Sequence, residues 1–359
     1  MSSQRHQSCS VSSVTSSIGT RVLKKQNGFT LVELMIALVL GLLISAAALQ
    51  IFYTSSVNSR RQEASSQIQD NAIFGFSQMQ QNLRRTNYGA KSTSTHDEFF
   101  MNHLTPQGGV VLTAPTGTSG KWLDGNLSGL VLNGAAIPRS LLSGNSSTTS
   151  ASNLNGIANS DQLTIQYQSG REGLFNCEGT AIPKDFYVIE RYFVRMDSTV
   201  TPNALGLACA SAIYNYNETT AGSTGIDIKS YTDPNAVNRT NNLSGDGTII
   251  IPNVDYFRAL LGVSTSTGFA TYPSTSNIAY RPIPNPATQL NNQRIISLQI
   301  GILARSNNPT ATPQANSDLS FTVLDRVNTR LNATATAGPT YLRNVYETTV
   351  LLRNARGGL

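Results

Sequence analysis

Glu33 is the one carboxylate inside an apolar run that begins at Phe29 and ends near Phe52. The run is roughly 20 residues, long enough to cross a bilayer as a helix. A carboxylate at that depth costs a few kcal/mol or more unless it meets a partner. A chain with no use for the charge would carry Leu there, so Glu33 points to charge pairing. Gly28 stands just before the run, where a residue without a side chain lets another backbone approach closely. Lys24 and Lys25 precede it, and the excess of basic residues keeps that end on the cytoplasmic side. An ordinary secretory signal has a shorter apolar core and a small-x-small cleavage site. Here the run is longer and passes into a polar helix without a break.

Other candidate chemistry is sparse. Cys9 lies in residues 1–28, which leaves Cys177 and Cys209 as an even pair. In an exported chain such a pair reads as a disulfide, with two buried thiols as the alternative. The histidines are His6, His96 and His103. His96 and His103 stand near Asp97 and Glu98 but lack the HExxH spacing, and they read as loop residues. Ser244-Gly245-Asp246-Gly247 offers oxygens of the kind calcium takes, and reads first as a tight turn. Gly117-Thr118-Ser119-Gly120-Lys121 resembles part of a phosphate loop, but Pro115 and Trp122 occupy the positions that need Gly and Ser/Thr. We expect no catalytic residue, no metal and no cofactor.

Charge points the same way. Charged residues make up 13% of the chain, well below the roughly 25% of typical soluble domains. The four cations of residues 1–28 (Arg5, Arg21, Lys24 and Lys25) account for most of the formal charge of +6, and +2 remains without them. Arg60-Arg61 and Arg84-Arg85 are short basic pairs that read as solvated helix surface. Nucleic acid is therefore not an expected partner.

The run Gly28-Phe29-Thr30-Leu31-Val32-Glu33-Leu34 resembles the class III signal of type IV pilins and type II secretion pseudopilins. The resemblance implies cleavage by a prepilin peptidase between Gly28 and Phe29, then N-methylation at Phe29. It also implies that Glu33 neutralises the new amine of a neighbouring subunit and so fixes register in a filament. The leader of 28 residues is longer than the common pattern. Initiation at Val22 or Leu23 would give a short basic leader and the same mature chain. Segments of the head narrow the resemblance to PilW-type minor pilins: Asp161 to Tyr167, Cys177-Glu178-Gly179, Leu205 to Cys209, Ile251 to Asp255, Arg294 to Leu298, and Val350 to Asn354. That family implies as partners the other minor pilins, the major pilin and the inner-membrane assembly platform, with a PilY-type tip adhesin as a further candidate. It implies a single pass through the inner membrane before assembly, the leader cytoplasmic and the head periplasmic, and afterwards a place in the surface pilus. A pseudopilin of the J type, and a head that itself binds a ligand or DNA, are the competing functions.

Beyond Tyr53 an apolar stripe continues through Ile68, Ala72, Phe76, Met79 and Leu83, spaced to line one helix face. Helix signals fade at Tyr88-Gly89, and Gly41 and Gly75 read as points where the helix can flex. Strand candidates are 162–167, 186–194, 248–251, 257–263, 294–304 and 348–352, separated by polar connectors that include 265–290 and 306–318. The expected domains are a leader, 1–28; an assembly and membrane helix, 29–88; and a β-rich head, 89–359. The expected fold class is α+β, type IV pilin-like: a long amino-terminal helix packed on a large, mostly antiparallel sheet.

Overall fold

The computed structural model describes residues 28–90, 101–114, 125–145, 160–200, 204–235, 237–264, 278–283, 294–310, 319–331 and 339–355. The chain divides into two compact units, one ending at Ser56 and the other beginning at Val57.

Helix α1, Leu31–Leu83, runs for 53 residues. It contains no proline, and its first half is built from Leu, Ile, Val and Ala. In the first unit its side chains are exposed, from Leu31 to Tyr53. In the second unit one stripe is buried: Ala64, Ile68, Ala72, Phe76, Met79 and Leu83. After Leu83 the backbone tightens, and Arg85, Thr86 and Tyr88 donate to the carbonyls three residues back. Asn87 and Gly89 then adopt left-handed φ values of 70° and 74°, which end the run.

The stripe packs on two antiparallel four-stranded sheets. The first contains β1 (Gln162–Gln168), β2 (Tyr187–Asp197), β3 (Ala204–Tyr214) and β4 (Thr248–Pro252), a meander in which each strand pairs with the next. The second contains β5 (Val254–Ser264), β6 (Ile278–Pro282), β7 (Ile295–Arg305) and β8 (Arg343–Leu351) in the order β6-β5-β7-β8. Alternate residues of both sheets join the helix stripe in one core, among them Leu163, Ile165, Val188, Leu207, Phe257 and Ile300. Each side chain of that size contributes about 1.5–3 kcal/mol on burial.

Only Asn253 separates β4 from β5. Its φ of 57° lies in the left-handed region, which Asn tolerates better than most residues. That one residue turns the chain from the first sheet into the second. The sheets are also fastened at Asp161. Its backbone N–H donates to Phe257 O at 2.8 Å, and its carboxylate accepts from Ala259 N at 3.0 Å. Arg258, 1% exposed, donates to Asp161 at 3.0 Å and to Asp325 at 2.6 Å, so a buried cation lies between two carboxylates. Such a triad is costly to break, because loss of one partner strands a buried charge.

Two strands of these sheets depart from the sequence reading. β3 (ALGLACASAIY) and β6 were not anticipated as strands, and β6 lies in the stretch read as a connector. β3 is buried along its whole length. Its small residues weaken the strand signal because they fit a crowded site rather than a half-exposed one. Gly75 is no free flex point either. Ile251 of β4 packs directly over it, and an added Cβ would overlap the Ile251 side chain.

Candidate functional site

Gly28, Phe29 and Thr30 form a short non-helical stretch ahead of α1, and all three are exposed. Phe29 is 87% exposed. A peptide bond in such a stretch is open to a protease, whereas one inside the helix is not. Thr30 caps the helix. Its Oγ1 accepts from Glu33 N at 3.2 Å, while Glu33 Oε2 accepts from both Thr30 N and Thr30 Oγ1 at 3.2 Å. This reciprocal pairing is a capping box, and it satisfies donors that helix geometry leaves open. The sequence reading gave Glu33 only a partner on another subunit. The T-x-x-E spacing ahead of an apolar run was the signal that would have revealed the cap.

Among the described residues nothing covers the apolar half of α1. Its most apolar 18-residue window has a mean hydropathy of 2.5 and is 0% buried, and it is the one helix among the described residues long and apolar enough to cross a membrane. Burying this face requires lipid or other chains, since leaving it in water forgoes about 25 cal/mol per Å².

The polar half is anchored differently. Glu190, on β2, is fully buried. Its Oε1 accepts from Asn82 Nδ2 of α1 at 3.1 Å, Tyr167 OH of β1 at 2.9 Å and Cys177 N at 2.8 Å. Its Oε2 accepts from Tyr192 OH at 2.6 Å. Burial pushes the Glu190 carboxyl up, against the lowering effect of these donors. The same burial, with the carboxylate alongside, pushes the Tyr167 and Tyr192 hydroxyls up, so both remain donors.

Cys177 and Cys209 form a disulfide with a Cα–Cα distance of 6.1 Å, within the usual range. It ties the ribbon Leu174–Phe175/Ala181–Ile182 to β3. The flanking residues repeat the link. Asn176 Nδ2 donates to Ser211 Oγ at 2.7 Å, and Glu178 accepts from Ser211 N at 2.8 Å.

Other sequence candidates fall apart in space or out of view. His6, His96, Asp97, Glu98 and Gly117 to Lys121 lie outside the described residues. His103 is buried rather than in an exposed loop. Among the described residues no group of three or more His, Cys, Asp and Glu is placed to hold a metal. At the turn read as a calcium candidate, Arg191 donates to the carbonyls of Leu243 at 2.9 Å and Gly245 at 2.7 Å. A guanidinium thus already occupies those oxygens, and desolvation brings its pKa down to about 10.

Residues 23–49 match the prokaryotic N-terminal methylation motif, and residues 220–354 match the Type IV Pilus-assembly protein W family. The chain is thus similar to the PilW family over its last third and to prepilin-type signals at its amino-terminal end. The second match covers β4 to β8, which includes the whole second sheet. The earlier segments read as PilW-like, from Asp161 to Cys209, lie before it. No curated protein matches the chain. Among solved structures, a type IV-like pilin from Thermus thermophilus is 12% identical, with 80% of this chain and 95% of that one covered at a TM-score of 0.31.

Proposed function

We propose that this chain is a PilW-type structural minor pilin that primes and assembles a type IV pilus, at or near its tip. Twitching motility, adhesion and DNA uptake are the activities that the filament would serve. In this reading the peptidase cuts between Gly28 and Phe29, and the Phe29 amine is methylated. Glu33 pairs with that amine on a neighbouring subunit. The leader is cytoplasmic and the head periplasmic before assembly, and the head later lies on the cell surface. The work is noncovalent, with no catalytic step. Other minor pilins, the major pilin and the assembly platform are its partners, with a PilY-type adhesin carried at the tip.

One observation carries this reading: a single helix whose lower half is apolar and exposed and whose upper half is locked into a core. That division suits a chain whose first half must join other helices while its second half stays with its own head. Sheared pili test it. The processed chain should copurify with them, and its loss should remove surface pili. Normal pili together with lost exoprotein secretion would instead identify a J-type pseudopilin.

A further inference from the structure

We infer that an arginine-lined cleft at the top of α1 binds an acidic segment of a partner protein. The cleft encloses about 320 Å³, and Arg84, Arg85, Arg171 and Arg353 line it together with Tyr88 and Gln168. None of its described lining residues is acidic. The four guanidiniums come from three distant parts of the chain: the end of α1, the loop after β1 and the turn after β8. Arg84, Arg171 and Arg353 are exposed, and their side chains make no hydrogen bond or ion pair with a described residue. Arg85 donates to Asn82 Oδ1 at 3.1 Å.

The fold holds these like charges together. Asn87 Nδ2 donates to Asn354 O at 2.6 Å, and Gln168 N donates to Tyr88 O at 2.8 Å. Asn354 Nδ2 lies 3.4 Å from Arg85 O and 3.5 Å from Arg84 O. These bonds lock the carboxy-terminal turn and the end of β1 to the end of α1. Cations at a helix carboxy terminus are favoured by the dipole, which accounts for Arg84 and Arg85. It does not account for Arg171 and Arg353, which belong to other elements. Arg85 also lies close enough to Glu190 to hold that carboxyl lower. Arg84, Arg171 and Arg353 have no carboxylate partner among the described residues. Gathering them is unfavourable in the isolated chain, and an incoming anion relieves it. Guanidinium forks match carboxylate oxygens two at a time.

The size of the cleft and the poverty of its surroundings favour a peptide over nucleic acid. Nucleic acid needs cations that track successive phosphates and, for single strands, several aromatic platforms. Here the cations are confined to one small cleft, and Tyr88 is its one aromatic lining residue. The inference rests on this cleft alone and is independent of Glu33.

The test uses the full processed chain in detergent micelles with fluorescein-labelled hexaglutamate, read by anisotropy. Saturable binding should weaken at least about tenfold when Arg171→Glu and Arg353→Glu are combined, the scale expected for losing charged hydrogen bonds. Arg281→Glu, an exposed change on β6, should leave it intact. Thermal unfolding by circular dichroism checks the fold, and Arg171→Gln with Arg353→Gln replaces the reversal pair if that pair unfolds. Unchanged binding in the double variant, or equal weakening by Arg281→Glu, overturns the proposal. So does tighter binding of labelled oligothymidylate that the same pair abolishes.

Discussion

Asn82, in the last turn of α1, donates to the buried carboxylate of Glu190 on β2 at 3.1 Å. Through Glu190 the helix end is tied to two strands and to the backbone of a disulfide cysteine. Glu190→Ala would leave Asn82, Tyr167, Tyr192 and the Cys177 N–H without an acceptor. Because buried donors that lose their partner keep the full desolvation penalty, a loss of about 2–4 kcal/mol is expected. Denaturant melts of the full chain in detergent measure it.

The same carboxyl makes stability depend on pH. Its folded pKa is raised, with desolvation the leading cause, above the ordinary carboxylate value of 4.5. Its stabilising contribution is therefore complete below that value and is lost as pH rises through the folded pKa. Glu178 shifts in the same direction, by burial. Glu190→Gln keeps an acceptor oxygen and cannot ionise. Its melting temperature relative to the parent should rise as pH climbs from the carboxylate range toward neutral. A difference that is flat across that window would contradict the assignment.

Gly75→Ala sets two effects against each other. Ala gains about 1 kcal/mol in helix propensity. The new Cβ overlaps the Ile251 side chain, and overpacking typically costs about 1–3 kcal/mol. Net destabilisation is expected. Combining it with Ile251→Val should recover part of the loss in a double-mutant cycle.

Replacing both Cys177 and Cys209 by Ser opens a loop with a sequence separation of 32. Loop-closure entropy sets the loss at about 3–4 kcal/mol. The Asn176 and Glu178 bonds to Ser211 persist, so the ribbon should stay docked while the denaturation midpoint falls. Intact mass with and without reductant checks that the parent carries the bond.

The cap that Glu33 forms and the charge pairing proposed for it are separable. Gln at the third position of a helix can still complete a capping box, whereas Leu cannot. If charge pairing governs assembly, Glu33→Gln and Glu33→Leu should both deplete the chain from sheared pili. If capping governs it, only Glu33→Leu should. Immunoblots of pili and membranes, with mass spectrometry confirming cleavage at Gly28, separate the outcomes.

Local periodicity made the helix legible. The stripe from Ile68 to Leu83 is buried as its spacing predicts. β1, β2, β5 and β7 lie where apolar runs or alternation placed them, within a few residues. β3 was hidden because Ala and Gly carry little strand signal, and its burial on both faces comes from neighbours distant in sequence. His103 read as a loop residue because a short polar stretch gives no hint of what covers it.

The sequence alone determined where the charge lies, that one helix is apolar enough for a membrane, and which two cysteines remain for pairing. These depend on composition and spacing along a few turns of chain. Tertiary structure decided that Glu190 pins the helix end. It also made a solvated-looking pair, Arg84-Arg85, half of an arginine cleft. Each of these needs groups that long-range folding alone brings within a few ångströms, and no local pattern encodes that convergence.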